Sequence, residues 1–322
     1  MPLVSIVMPV YNAERFIQRS LDSALAQTYR NIEIIIVDDC STDRTAEIVK
    51  SYHNPKVKYF LQKPNGGQGA ARNLGISESK GQFVTFLDAD DYYVPAKIER
   101  EVHFLMGHPE YRAVCSDTLY FYLGRLEKLY RKLYSFRSGN FLNALFNFNY
   151  PHLNTFMVSR AVLDEVGFFN ETRYFPEDWE MFLRISLAGY EFGYLEEFLV
   201  VVEVRDDSNT TIGIQHILKQ NAIEALRQIS SLLSPEQMAM YNVDKIIRRM
   251  HHKLAIAYLA NGQKDDFARA MLALYRRFPV RILIHMLVIA VRLAPSSVWV
   301  RSLTTLWRLN QKVLQSTSVE LC

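Results

Sequence analysis

Four short runs rich in β-branched and aromatic residues, VSIVMPV at 4–10, IEIIIVD at 32–38, VKYFL at 57–61 and FVTFLDA at 83–89, alternate with stretches of helical periodicity. Strand-like runs separated by helical segments are the signature of βαβ units, so the first hundred residues predict an α/β fold on a mainly parallel sheet. Helices are expected over Ala13 to Gln27, where Phe16, Ile17, Leu21, Ala24 and Leu25 share a face, over Thr42 to Lys50 and over Gly69 to Ser77.

Beyond this unit the pattern loosens. Strands are expected at Ala113 to Phe121, Thr155 to Ser159 and Phe198 to Val204, and helices near Arg160 to Val166 and Asp178 to Leu187. The basic, tyrosine-rich GRLEKLYRKLYSFRSG at 124–139 reads as an exposed hairpin or mobile loop. After Gly213 only helical patterns remain, over Gln215 to Leu233, Asp244 to Ala260, Asp265 to Phe278 and an apolar pair past Val280. Two domains are expected, a sheet domain over 1–212 and an all-helical extension over 213–322.

Charge divides the chain in a similar place. Residues 241–322 carry 13 Lys and Arg against 4 Asp and Glu, an excess of 9, so a chain with net charge +3 is acidic by 6 over residues 1–240. Three cysteines without C-x-x-C spacing argue against a disulfide framework or a zinc site and suit a reducing cytoplasm. The N-terminus runs directly into a strand pattern with no basic n-region. A membrane-spanning helix needs about 20 apolar residues. The longest candidate, ILIHMLVIAV at 282–291, is half that and lies between Arg281 and Arg292.

In open α/β sheets, ligands bind beyond the carboxyl ends of the strands. Those ends are Pro9-Val10-Tyr11-Asn12, Asp38-Asp39-Cys40-Ser41 and Asp88-Ala89-Asp90-Asp91. Two carboxylates two residues apart, Asp88 and Asp90, suit a hard divalent cation, Mg²⁺ or Mn²⁺, that also takes substrate phosphate oxygens. The alternative is a solvated turn capping the helix that begins near Pro95. Asp39 either accepts a nucleobase N–H, with Tyr11 lying against the base, or caps the following helix with Ser41 and Asp43. Arg72, early on the helix after NGGQG, is placed to meet a phosphate. Glu177 and Asp178 at a helix start either complement its dipole or supply a general base, with Trp179 as a sugar platform. No P-loop, HExxH, G-x-S-x-G or Cys–His arrangement appears, and the histidines show no paired spacing. The aromatic run FLNALFNFNY has no interleaved basic residues, which argues against nucleic acid.

The ordered set VSIVMPVYNAERFIQRSLDSALAQTYRNIEIIIVDDCSTDRTAEIV, NGGQGAARNLGI, GQFVTFLDADD and PEDWEMFLRIS strongly resembles the family 2 glycosyltransferases, inverting enzymes of the Rossmann-like GT-A fold. The likeness is close over residues 3–105 and looser over 150–210. It implies a nucleotide-sugar donor, most often a UDP-sugar, and a hydroxyl acceptor in polysaccharide or glycolipid synthesis. It also assigns roles by position. Pro9, Tyr11 and Asp39 are nucleoside contacts, Arg72 a donor contact, Asp88 a ribose or sugar contact, Asp90 the metal ligand and Asp178 the catalytic base. Asp91, Glu177 and Trp179 are left as helix-capping, supporting or acceptor-side groups. One departure stands out, because the family's Arg-x-His element after the last strand is here VEVRDDSNTT. Arg205 and Ser208 match it, but the histidine is missing.

The basic C-terminal helices either dock a peripheral enzyme on the inner face of an anionic membrane, where a lipid-linked acceptor lies, or pack on protein, including a second copy of the chain. Two rival functions fit the sequence less well. A nucleotidyltransferase that makes nucleotide sugars needs a Gly-rich pyrophosphate loop, and PVYNAERF lacks one. A non-catalytic sugar- or nucleotide-binding module would have lost Asp90 or Asp178, and both are present.

Overall fold

The structure is a computed structural model that describes residues 1–122, 128–130, 137–148, 150–204 and 214–274. The stretch 205–213, with Arg205 and Ser208, and everything after Leu274, including the apolar run at 282–291, lie outside the described residues. So do most of the basic hairpin residues between 123 and 136. The chain divides into two compact units, Met1–Ser208 and Asn209–Cys322.

The first unit opens with the alternation read from the sequence. Strands β1 (Val4–Val10), β2 (Ile32–Asp38), β3 (Val57–Leu61) and β4 (Phe83–Phe86) alternate with helices α1 (Ile17–Leu25), α2 (Thr45–Lys50) and α3 (Gln68–Glu78). There follow β5 (Tyr92–Tyr93), α4 (Lys97–Gly107), β6 (Ala113–Tyr122), β7 (Lys128–Tyr130), α5 (Leu142–Phe146), a 3-10 turn (Leu153–Thr155), β8 (Met157–Ser159), α6 (Arg160–Val166), α7 (Glu177–Leu187) and β9 (Phe192–Val204). Among the described residues one sheet forms in the order β3-β2-β1-β4-β8-β6-β9-β5, with β7 paired to β6. The β1–β2, β2–β3, β1–β4 and β6–β9 pairs are parallel, and β8 is inserted antiparallel between β4 and β6.

Every residue of β2 is buried, because a central parallel strand is covered on both faces. On one face Ile34, Ile36, Met8 and Ile6 pack with Ile17, Leu21 and Ala24 of α1, which confirms the helical stripe expected there. On the other, α3 lies against β1. Its Gly75 admits the approach, since a Cβ there would stand 2.4 Å from Val7 Cγ1. Glu33 interrupts the apolar run without being orphaned. It accepts Ser5 Oγ and Lys80 N–H, and Lys58 Nζ reaches it at 2.6 Å.

Two features differ from expectation. Strand β9 starts at Phe192 rather than Phe198. Its register against β6 passes from Ser116↔Leu195 to Asp117↔Phe198, so Glu196 and Glu197 fall in an irregularity that hides the strand's first half from pattern reading. The two-residue β5 has too little sequence to announce itself, and it pairs antiparallel with Val200 and Val201 of β9.

The second unit contains helices α8 (Gln215–Ser230), α9 (Pro235–Met240), α10 (Val243–Ala260) and α11 (Lys264–Leu274). Ser234 caps α9 reciprocally with Gln237, and Ala255, Leu259 and Phe267 form a small core between α10 and α11. No helix among the described residues is long and apolar enough to cross a membrane.

Candidate active site

The segments that follow β1 and β2 are stitched to each other by side chains. Asn12, in a left-handed conformation, accepts Thr42 N–H at 2.8 Å, and Ala13 N–H donates to Thr45 Oγ1 at 2.7 Å. Pro9 is half-buried and Tyr11 is 54% exposed.

Asp39 is buried and fully engaged. Its carboxylate accepts Gly66 N–H at 2.7 Å, Gly67 N–H at 2.8 Å and Gln62 Nε2 at 2.8 Å. Asp39 therefore shapes the glycine loop from which α3 starts. Gly67 there takes φ +87°, a conformation that favours glycine. The start of α2 is served instead by Asp43, which accepts Thr45 N–H at 2.9 Å. Asp38 is likewise engaged, by Ser41 N–H and Tyr59 Oη.

Arg72 leaves this loop on the second turn of α3 and is only 3% exposed. Its guanidinium lies 2.8 Å from Asp88 Oδ1 and 2.7 Å from Glu177 Oε1, joining the end of β4 to the start of α7. Gln68 Nε2 donates to the same Glu177 oxygen. Burial pushes the Asp88 carboxyl up, but Arg72 and His152 outweigh it and hold the group below the usual carboxylate range.

The three acids of the β4 loop are treated differently by their surroundings. Asp88 meets Arg72. Asp91 is buried and accepts Asn154 Nδ2 at 2.6 Å and Glu203 N–H at 3.2 Å. Asp90 is half-buried, and its carbonyl accepts Arg19 Nη2 at 2.9 Å. Among the described residues, donor atoms of Asp88, Asp91 and His152 lie within 4.8 Å of one another. The two carboxylate oxygens suit a hard cation such as Mn²⁺ or Mg²⁺, whereas the imidazole is a ligand that Mg²⁺ does not favour. Asp90, the metal ligand expected from the sequence, is not one of that trio.

Asp178 is half-buried in the first turn of α7. Burial and the adjacent Glu177 charge push its carboxyl up to about 7, against the Trp179 N–H and Arg72. A carboxylate poised there can take a proton near neutral pH. Tyr150 stands close enough that the Asp178 charge is the main cause of its raised hydroxyl pKa. Trp179 does not face a ligand. It is 0% exposed, its ring stacks on Phe148 and its Nε1–H donates to Leu145 O at 2.8 Å. It supports the helix as a core residue.

His152 and Asn154 are candidate site residues that sequence reading missed, and Tyr150 is the last residue of the aromatic run FLNALFNFNY, to which no individual role was given. They sit in NYPHLNTF, a stretch with no motif spacing, and only the antiparallel insertion of β8 beside β4 brings them to the acidic loop.

The sequence model of Glycosyl transferase family 2 matches residues 5–167. The chain belongs to glycosyltransferase family 2. This family 2 chain is 34% identical over 239 residues to an uncharacterized glycosyltransferase of Rickettsia typhi, a match covering 69% of this chain and 70% of that one. Over 105 residues it is 42% identical to Escherichia coli WfaP, a UDP-Glc:alpha-D-GlcNAc-diphosphoundecaprenol beta-1,3-glucosyltransferase. That match covers 33% of this chain and 42% of the relative. Staphylococcus aureus TarS 1–349, solved in complex with UDP-GlcNAc, superposes with a TM-score of 0.67 at 20% identity, covering 96% of this chain and 92% of that one. The likeness to TarS is one of fold, and the fold is GT-A.

Proposed function

We propose that this glycosyltransferase moves a sugar from a nucleotide-diphosphate sugar, a UDP-sugar by its likeness to WfaP and TarS, to a hydroxyl acceptor with inversion. The observation that carries the reading is the Asp88–Arg72–Glu177 bridge, buried at Arg72 and Glu177 and half-buried at Asp88, beside which Asp178 lies next to the loop expected to hold the donor. Tyr11 and Asp39 flank the nucleoside end, and the Gly66-Gly67 loop leads to it. Arg72, being spent on two carboxylates, acts as the tie between donor and acceptor sides more than as a phosphate clamp.

In the reaction Asp178 takes the proton of the acceptor hydroxyl. Its oxygen forms the new bond to the anomeric carbon as the bond to the diphosphate breaks on the opposite face, the electron pair leaving with the diphosphate. Asp90 of the Asp88–Asp91 loop would hold a Mg²⁺ or Mn²⁺, which when bound would supply positive charge against the leaving diphosphate. The raised Asp178 carboxyl has the affinity for a proton that this role needs.

The acceptor is read as a saccharide on a lipid diphosphate, by analogy with the acceptor in the WfaP name. The excess of nine positive charges over 241–322 is read as the part that holds the protein on the inner face of the cytoplasmic membrane. The test is a screen of UDP-sugars with Mn²⁺ and Mg²⁺ against a prenyl-diphosphate saccharide, with the product anomer read by NMR. Transfer with retained configuration, or none from any UDP-sugar, would overturn the reading. Flotation of the full chain with anionic against neutral vesicles tests the membrane part, and equal flotation counts against it.

A further inference from the structure

The loop Asp88-Ala89-Asp90-Asp91 concentrates three carboxyl groups in four residues without helix or strand to fix them. Like charges so close repel, so the direction in which each carboxylate points has to be imposed from outside the loop. Part of that comes from α1, where Ser20 Oγ donates to Asp88 O at 3.1 Å and Arg19 donates to Asp90 O.

Arg72 holds Asp88 Oδ1, and a further part comes from the side chain of Asn154. Asn154 sits on the 3-10 turn before β8 and is 0% exposed. Its Oδ1 accepts Asp88 N–H at 3.2 Å and its Nδ2 donates to Asp91 Oδ2 at 2.6 Å. A carboxamide offers a donor and an acceptor from one plane. An ionised carboxylate offers acceptors only, and leucine of similar size offers neither. Asn154 thus bonds both ends of the acidic loop at once. The other Asp91 oxygen is taken by Glu203 N–H, so the carboxylate is drawn into the protein.

We propose that Asn154 is the positioning residue of this loop: by drawing Asp91 inward and pinning Asp88 N–H, it fixes how the loop presents its remaining carboxylates to the cation and the diphosphate. It acts through Asp88 and Asp91. The proposal rests on the donor-site reading above.

The test measures Mn²⁺ and UDP binding to the full chain by titration calorimetry, beside the thermal midpoint. Asn154→Leu keeps the volume and removes both bonds, and is expected to weaken Mn²⁺–UDP binding about tenfold or more. Asn154→Asp sets a second carboxylate against Asp91 and is expected to weaken it at least as much. Combining Asn154→Asp with Asp91→Asn restores one donor and one acceptor across the same contact, and most of the affinity is expected to return. A merely structural residue would lower the thermal midpoint and leave the affinity of the folded protein unchanged. Wild-type affinity in Asn154→Leu, or no recovery in the double variant, overturns the inference. Should Asn154→Leu not fold, Asn154→Asp and its double variant decide alone. Absence of Mn²⁺–UDP binding by the wild-type chain overturns the donor-site reading itself, and is seen before any variant is made.

Discussion

Arg72 Nη1 lies 2.7 Å from Glu177 Oε1, across 105 residues of sequence, while its Nη2 holds Asp88. The guanidinium fork serves two carboxylates at once, which a lysine ammonium on a flexible stem does less well. Arg72→Met would leave Asp88 and Glu177 facing each other with no cation between them. Removing one partner of a buried ion pair costs about 3–5 kcal/mol. We expect a loss of that size in urea denaturation, with Arg72→Lys intermediate. A loss below about 1 kcal/mol would show that water replaces the bridge.

Asp178→Asn is expected to abolish transfer while Mn²⁺–UDP binding survives, because the amide keeps the volume and cannot take a proton. The same substitution changes stability with a definite sign. The folded-state carboxyl is raised from 3.8 to about 7, so between those values the folded protein binds more protons than the unfolded chain. Stability therefore falls as pH rises through that window, and the full cost of the charge is present above about 7. Asp178→Asn should match wild type at pH 4 and exceed it at pH 8, on the order of 1 kcal/mol or more. In the wild type, transfer should decline as pH falls below about 7. A variant less stable than wild type at pH 8 would contradict the burial cost assigned to Asp178.

Behind the acidic loop, Lys97 and Glu101 form a fully buried pair at 2.8 Å on α4, and Lys97 Nζ also donates to Thr85 Oγ1 on β4. Burial pushes Glu101 up to about 7, against Lys97, and pulls Lys97 down, against Glu101. Lys97→Met would strand the carboxyl, at about 3–5 kcal/mol by chemical denaturation. Adding Glu101→Leu should return most of that. The deficit of the single variant should also shrink from pH 8 to pH 5, as Glu101 becomes neutral. A double variant no better than the single would mean that packing, not charge, sets the cost.

What the sequence made legible follows from how local the signals are. The four parallel strands and the helices between them read out because each strand is a short run dominated by β-branched and aromatic residues, set off from the next by a stretch of helical periodicity. Asp88, Arg72 and Glu177 each stand in a short motif, but no local pattern records their joining into one bridge across 105 residues. Trp179 looked like a platform because it adjoins two acids. Its side chain turns into the core, which the helical stripe of Met181, Phe182 and Ile185 does not by itself settle. His152 and Asn154 left no trace, because the residue spacing that matters is set by β8 pairing with β4.

We expect the cation of the proposed donor site to be held at Asp90, the position to which the family resemblance assigns the metal ligand. Asp88 is already compensated by Arg72 at 2.8 Å, and a divalent cation on that carboxylate would stand against a guanidinium. Asp91 is committed to Asn154 and to Glu203 N–H. His152 accepts the Asn154 N–H at Nδ1 over 3.4 Å, and burial holds its imidazole below its ordinary value. We expect Asp90→Asn to reduce Mn²⁺ binding, followed by the electron paramagnetic resonance of free Mn²⁺, by about a hundredfold, and His152→Ala by about tenfold or less. The opposite ranking would move the cation from Asp90 into the Asp88–Asp91–His152 cluster, and with it the position of the leaving diphosphate relative to Asp178.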